Sequence, residues 1–327
     1  TSRPLRGLQN GDVMLQLPVS RHACQLLGAI LTALAILTAL ASLAGSEKPV
    51  QAQTAKDTRL SIAERIVAAG RQRMLAEGMA ASLCYVDQGV ADARSRSQLY
   101  VMWNIFGWYH RAIVSGSQEL DLGVELDPQV LAAWQEVDTL WTELRPLYDT
   151  PISGQPAQPA QFDDAVAITR DVTDAATDLV ATLRSAYAAR LGPQGFGSAL
   201  LIDLYERQRM LAQRIAKDVC LVARGDAQPN RLADLTRTVE IFSLSLDAFQ
   251  NGLSDAGVPP PPTDAIAQSL SNAATHWRPV AALAYAAAQG MELDRSGLAE
   301  FADAMDRFTS HMTGAINALA ALNSDGG

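Results

Sequence analysis

Residues 71–76 read Arg-Gln-Arg-Met-Leu-Ala, and residues 207–212 read Arg-Gln-Arg-Met-Leu-Ala again, an offset of 136. The same offset pairs Ile66 with Ile202, Ala80 with Ala216 and Cys84 with Cys220. Further along it pairs Ile105-Phe106 with Ile241-Phe242, Gly116 with Gly252 and Trp141 with Trp277. Each tryptophan is soon followed by an Arg-Pro pair, Arg145-Pro146 and Arg278-Pro279. One offset held from residue 66 to residue 141 is the mark of an internal duplication.

Alanine, leucine, glutamine and arginine are good helix formers, and no stretch alternates polar and apolar like a half-buried strand. The class is therefore all-α. The first unit reads as four helices near 58–88, 91–115, 128–148 and 162–191. The second reads as four near 198–224, 230–253, 263–288 and 294–322. Breaks fall at Asp127-Pro128, the Pro- and Gln-rich 151–161, Gly192-Pro193, Pro229 and Pro259 to Pro262, all residues that stop or start helices. Helices of this length with short links pack as antiparallel four-helix bundles. The expected layout is a first unit over 53–191, a linker over 192–197 and a second unit over 198–327, related by a pseudo-twofold axis.

The segment before residue 53 has another purpose. Leu26 to Gly45 carries no charge, Arg21 and His22 precede it, and Val50-Gln51-Ala52 follows it. A positive flank, an apolar core and a small-x-small ending fit a secretory signal over 1–52, cleaved after Ala52. The competing reading is an uncleaved inner-membrane anchor, because 20 apolar residues can span a bilayer. Both readings place the body in the periplasm. Cys24 precedes the apolar run, so it is not a lipoprotein cysteine.

The chain has a formal net charge of −9. Residues 1–52 hold four basic residues (Arg3, Arg6, Arg21, Lys48) against Asp12 and Glu47, so the remainder is more acidic than the whole. Phosphate backbones demand the opposite sign, which argues against nucleic acid as a partner. An anionic lipid surface is disfavoured on the same ground. A small anion is not, because one local pair of arginines suffices for it.

The segment Ala69-Gly70-Arg71-Gln72-Arg73-Met74-Leu75 resembles the opening signature of a family, the N-terminal sensor domain of type IV pilus methyl-accepting chemotaxis transducers (PilJ-like). The second copy, from Glu206 to Lys217, is the fuller match, since Gln213-Arg214 follows Met-Leu-Ala where the first copy has Glu77-Gly78. The resemblance covers most of residues 58–322. It implies a four-helix sensor module related to the periplasmic domain of nitrate/nitrite sensor kinases. In those proteins, two equivalent arginines on the first helices hold one small anion. The matching positions are Arg73 and Arg209. No methyl-accepting or kinase segment follows here, so a signal is expected to pass to a separate membrane receptor or sensor kinase.

The residues support such a site on their own terms. Ile66, Arg73, Ala80 and Cys84 lie on one narrow face of the first helix, and Ile202, Arg209, Ala216 and Cys220 repeat that face. An arginine between isoleucine and alanine is an unusual solvated face; it suggests two copies pressed together with Arg73 opposite Arg209. A planar oxyanion between two guanidinium groups relieves their repulsion. Gln72 and Gln208 are adjacent amides that could help, although their angular offset argues against direct contact. The plain alternative is a structural or interaction bundle with no small ligand, in which the arginines are salt-bridged; Arg71 and Arg207 are expected to be solvated. Cys84 and Cys220 meet if the first helices run parallel, and form either a disulfide, as is common in an oxidising compartment, or two buried thiols.

Enzymatic chemistry has no visible home. His110, His276 and His311 have no partner at i+3 or i+4 that would make a metal pair. There is no haem motif, Gly-rich phosphate loop or nucleophile elbow. No cofactor is expected. Trp103, Trp108 and Tyr109 at helical spacing read as core.

Overall fold

Proline sets where several helices begin. Pro128, Pro159 and Pro229 each sit in the first turn of a helix, where the missing N–H would have had no partner in any case. Asp127 accepts hydrogen bonds from the Gln129 and Val130 amides, and Thr263 accepts one from Ile266 N, capping the helices that follow them.

A computed structural model describes residues 47–325. Among these residues the chain is all-α, with two isolated β-bridges and no strand. The helices are α1 (Glu47–Asp87), α2 (Asp92–Ser115) and α3 (Pro128–Leu144), the last continued by a 3-10 turn, Arg145–Tyr148, and a single α-turn, Asp149–Ile152. The run Pro159–Ala223 follows; then come α6 (Pro229–Asn251), α7 (Asp264–Ala288) and α8 (Arg295–Asp325). The expected export segment lies outside the described residues, except that Glu47 to Ala52 form the first turns of α1.

The run Pro159–Ala223 is two helices. Gly192 alone leaves helical geometry (φ 66°, ψ 177°), a backbone region open to glycine and costly for other residues. It divides the run into α4 (159–191) and α5 (193–223). Arg184 bonds Asp203 at 3.0 Å, and Arg224 reaches Asp163 at 3.7 Å and covers the Phe162 ring. Contacts that widen so evenly about residue 193 mean that the two arms fold back on each other as an antiparallel hairpin. Of the stretch 192–197, then, only Gly192 is non-helical.

The core is built by period. α6 buries Leu235, Val239, Phe242, Leu246 and Phe249, and α8 buries Leu298, Phe301, Met305, Phe308 and Met312. Steps of three and four keep such residues on one helix face. Each contributes about 1.5–3 kcal/mol by leaving water. Phe106 packs on Trp141 at 4.2 Å between ring centroids, and Phe242 packs on Trp277 at 4.6 Å. These two aromatic pairs are separated by the offset of 136 seen in the sequence. So are the ends of α2 and α6, where Gly116 and Gly252 both take positive φ and the bridges Ser117–Leu122 and Leu253–Val258 follow. Trp108 departs from the sequence reading. It is 36% exposed, while Tyr109 beside it is buried.

Candidate functional site: a charged seam between α1 and α5

Helices α1 and α5 run parallel and in register. Asp203 and Ala216 of α5 bond Arg73 and Tyr85 of α1. Glu77 bonds Arg214 and Asp87 bonds Arg224, so the contacts climb both helices together. Cys84 and Cys220 form a disulfide, with their Cα atoms 6.1 Å apart.

The residues along this seam follow a heptad. On α1 they are Ile66, Gly70, Arg73, Glu77, Ala80 and Cys84; on α5 they are Ile202, Glu206, Arg209, Gln213, Ala216 and Cys220. Steps of 4, 3, 4, 3 and 4 are the spacing that keeps one stripe facing a parallel partner. All twelve are buried. Four layers match like with like (Ile, Arg, Ala, Cys). The other two do not: Gly70 meets Glu206, and Glu77 meets Gln213.

Glu206 and Glu77 of those unlike layers, with Asp203 beside the stripe, supply the charge balance. Arg73 Nη2 lies 2.5 Å from Asp203 Oδ1, while Arg184 takes Oδ2 at 3.0 Å. Arg209 Nη1 bonds both oxygens of Glu206, at 3.1 and 2.9 Å, and Arg71 Nε lies 3.5 Å from the same carboxylate. Glu206 is fully buried and Arg73 is 2% exposed. Both guanidinium groups expected to hold an anion therefore have a carboxylate of the chain itself. Unpaired charges at this depth would be costly, whereas paired and hydrogen-bonded ones are tolerated. Arg71 also differs from the sequence reading: it is half-buried, bonds the Tyr109 hydroxyl and lies against its ring. Arg207 is exposed as expected.

Gln72 and Gln208 turn away from the seam. Gln72 Nε2 bonds His110 Nδ1 at 2.9 Å, and His110 Nε2 lies 3.0 Å from Asp138. Gln208 Nε2 donates to Phe242 O at 2.8 Å. Each amide fastens a first helix to the second helix of its own half, which agrees with the angular offset noted in the sequence. Burial lowers the His110 pKa, outweighing the opposing pull of Asp138.

A second charged layer lies above the arginines. Glu77 is fully buried and accepts from Arg214 Nε and Lys217 Nζ, both at 2.8 Å. Burial raises the Glu77 carboxyl pKa, but Lys217 and Arg214 more than offset that and hold it below its ordinary value. Among the described residues no cluster of His, Cys, Asp and Glu could hold a metal ion.

Comparison with known families bears on the second half. Residues 197–301 match the family model described as the N-terminal region of type IV pili methyl-accepting chemotaxis transducers, PilJ. This stretch is a PilJ domain. The domain takes in nearly all of α5, all of α6 and α7, and the first turns of α8. It thus carries Glu206, Arg209, the Phe242–Trp277 pair and Cys220, and it is a sensor-type helical module. No curated protein matches the chain. Among the described residues no helix is long and apolar enough to cross a membrane.

Proposed function

We propose that the protein is a periplasmic sensor-type module in which residues 53–191 and the PilJ-containing half form one duplicated bundle, and that it signals through a separate membrane protein. The observation that carries this reading is the parallel, disulfide-tied seam of α1 and α5. Two first helices in register within one chain reproduce what two subunits would otherwise have to assemble. Such a pair can transmit a change at one end to the other through layers with discrete packing. The disulfide supports export, since such bonds persist in oxidising compartments. A phosphatase that is active only outside the cytoplasm, fused after Gly327, tests this. Activity that depends on residues 1–52 is expected; an inactive fusion made at full level overturns the location.

A second reading has a specific observation in its favour. Among the described residues the Nε atoms of Arg71 and Arg209 are buried without a hydrogen bond, Arg71 Nε lying 3.5 Å from Glu206. A nitrate- or nitrite-like anion between Arg73 and Arg209 would satisfy such donors, in competition with Glu206. Thermal unfolding with each anion separates this reading from a bundle with no small ligand. Binding at a hundred times Kd adds about 2.7 kcal/mol to stability, and that gain must vanish in Arg209→Ala. No shift with either anion leaves the arginines as part of the seam alone.

A further inference from the structure

On the face of α5 turned toward α4 and α6 there is a cleft of about 560 Å³. Six basic side chains line it: Arg170, Arg207, Arg214, Lys217, Arg231 and Arg237. Only three acidic ones do so, Asp171, Asp218 and Asp234, in a chain whose net charge is −9. The inner wall is fixed by ion pairs. Glu77 holds Arg214 and Lys217 from behind, and Asp218 and Asp226 hold Arg231.

The outer arginines are different. Arg170 and Arg207 are exposed and form no ion pair among the described residues. Arg237 reaches Asp234 only at 3.9 Å, with both side chains at least half exposed. One such arginine comes from each of the three helices, and all three open into one cavity.

The first half of the chain provides an internal control. Counting back 136 residues, Arg214 becomes Gly78, Lys217 becomes Ala81, Arg231 becomes Ser95 and Arg237 becomes Val101. Thr238 becomes Met102, and a Cβ on Gly78 would lie 2.7 Å from the Met102 sulfur, so methionine fills the groove there. Counting forward by the same offset, Arg170 becomes Asp306, which is bound by Arg94. Four of the six seam layers keep their residue in both halves, whereas of the six cations in this groove only Arg207 has a cationic counterpart, Arg71.

We propose that the cleft between α4, α5 and α6 binds a compact multivalent anion, a small molecule bearing two or more phosphate or carboxylate groups. Arginines on three helices present planar forks to such groups from three sides, a geometry suited to bidentate contact. A monovalent ion would leave most of these donors unused. The cleft is independent of any anion between Arg73 and Arg209.

Calorimetric titration of the whole chain with inorganic pyrophosphate and with citrate tests this, with chloride as the background salt. Saturable binding of either is expected. It should weaken by at least about tenfold in Arg170→Ala/Arg207→Ala, since hydrogen bonds to charged groups are worth that much. Both residues are exposed, so that variant folds. Thr238→Met, which copies the plug of the first half without altering charge, should abolish binding. No binding of either anion, or binding unchanged in both variants, overturns the proposal. So does association only with vesicles of phosphatidylcholine and phosphatidylglycerol, which would assign the arginines to a membrane surface.

Discussion

Gly70 of α1 stands against Glu206 of α5, and a Cβ at residue 70 would come within 3.3 Å of the Glu206 Cβ and 3.2 Å of Arg73 Nη2. The glycine is there because a carboxylate and a guanidinium already fill the layer. Gly70→Leu should therefore force the helices apart and cost about 1–3 kcal/mol, as overpacking does. Denaturant unfolding of the variant measures it; unchanged stability would show that the two helices do not meet at this height.

Glu77 supplies the only carboxylate that touches both Arg214 and Lys217 in the bonds described. Glu77→Gln removes the counterion shared by Arg214 and Lys217, leaves Lys217 only Asp218 at 3.6 Å, and should cost about 3 kcal/mol at neutral pH. The sign of its pH dependence follows from its lowered pKa. A carboxylate whose pKa is lower folded than unfolded adds stability that is complete above the unfolded value and is lost as pH falls toward the folded one. The gap in stability between native chain and variant should thus narrow once the pH drops below about 4.5.

His110 predicts a second, higher window. Its folded pKa is depressed by burial, so the unfolded chain takes up the proton first. Stability is full above the unfolded value of about 6.5 and declines as pH falls below it. Gln72, Asp138 and the stacked Trp134 and Phe106 face the ring, and Arg111 adds a small push in the same direction as burial. In His110→Asn the decline in melting temperature between neutrality and mild acid should be smaller than in the native chain.

The Cys84–Cys220 bond closes a loop of sequence separation 136. In the chain-entropy model a loop of this size contributes about 3–5 kcal/mol. Melting of Cys84→Ser/Cys220→Ser, compared with the native chain under oxidising and reducing conditions, reads that loss. The native chain should be sensitive to reductant and the variant should not.

Much of this arrangement is legible in the sequence because the same landmarks recur at an offset of 136. Phe106 with Trp141, and Phe242 with Trp277, stand out as repeated landmarks, and each pair is found packed together. The helix boundaries follow from proline and glycine, whose effects are local. The partners of Arg73 and Arg209 were hidden for the opposite reason. Asp203 and Glu206 correspond to Val67 and Gly70 in the other half. A search for what two copies share passes over the positions where they differ, yet unlike residues are what let like charges sit side by side. The cationic cleft escaped notice similarly, since its arginines come from three helices whose approach no local pattern reveals. Trp108 misleads in a third way: spacing gives a face but not what covers it.

The fusion of α1 and α5 into one chain has a kinetic meaning. Two separate subunits meeting along such a seam would part on dilution, and their state would depend on how many copies were present. Here a peptide hairpin and a sulfur bridge hold the partners at a fixed effective concentration. The contact is equally complete in a sparse population and a dense one. Pairing these two helices needs no meeting of separate chains.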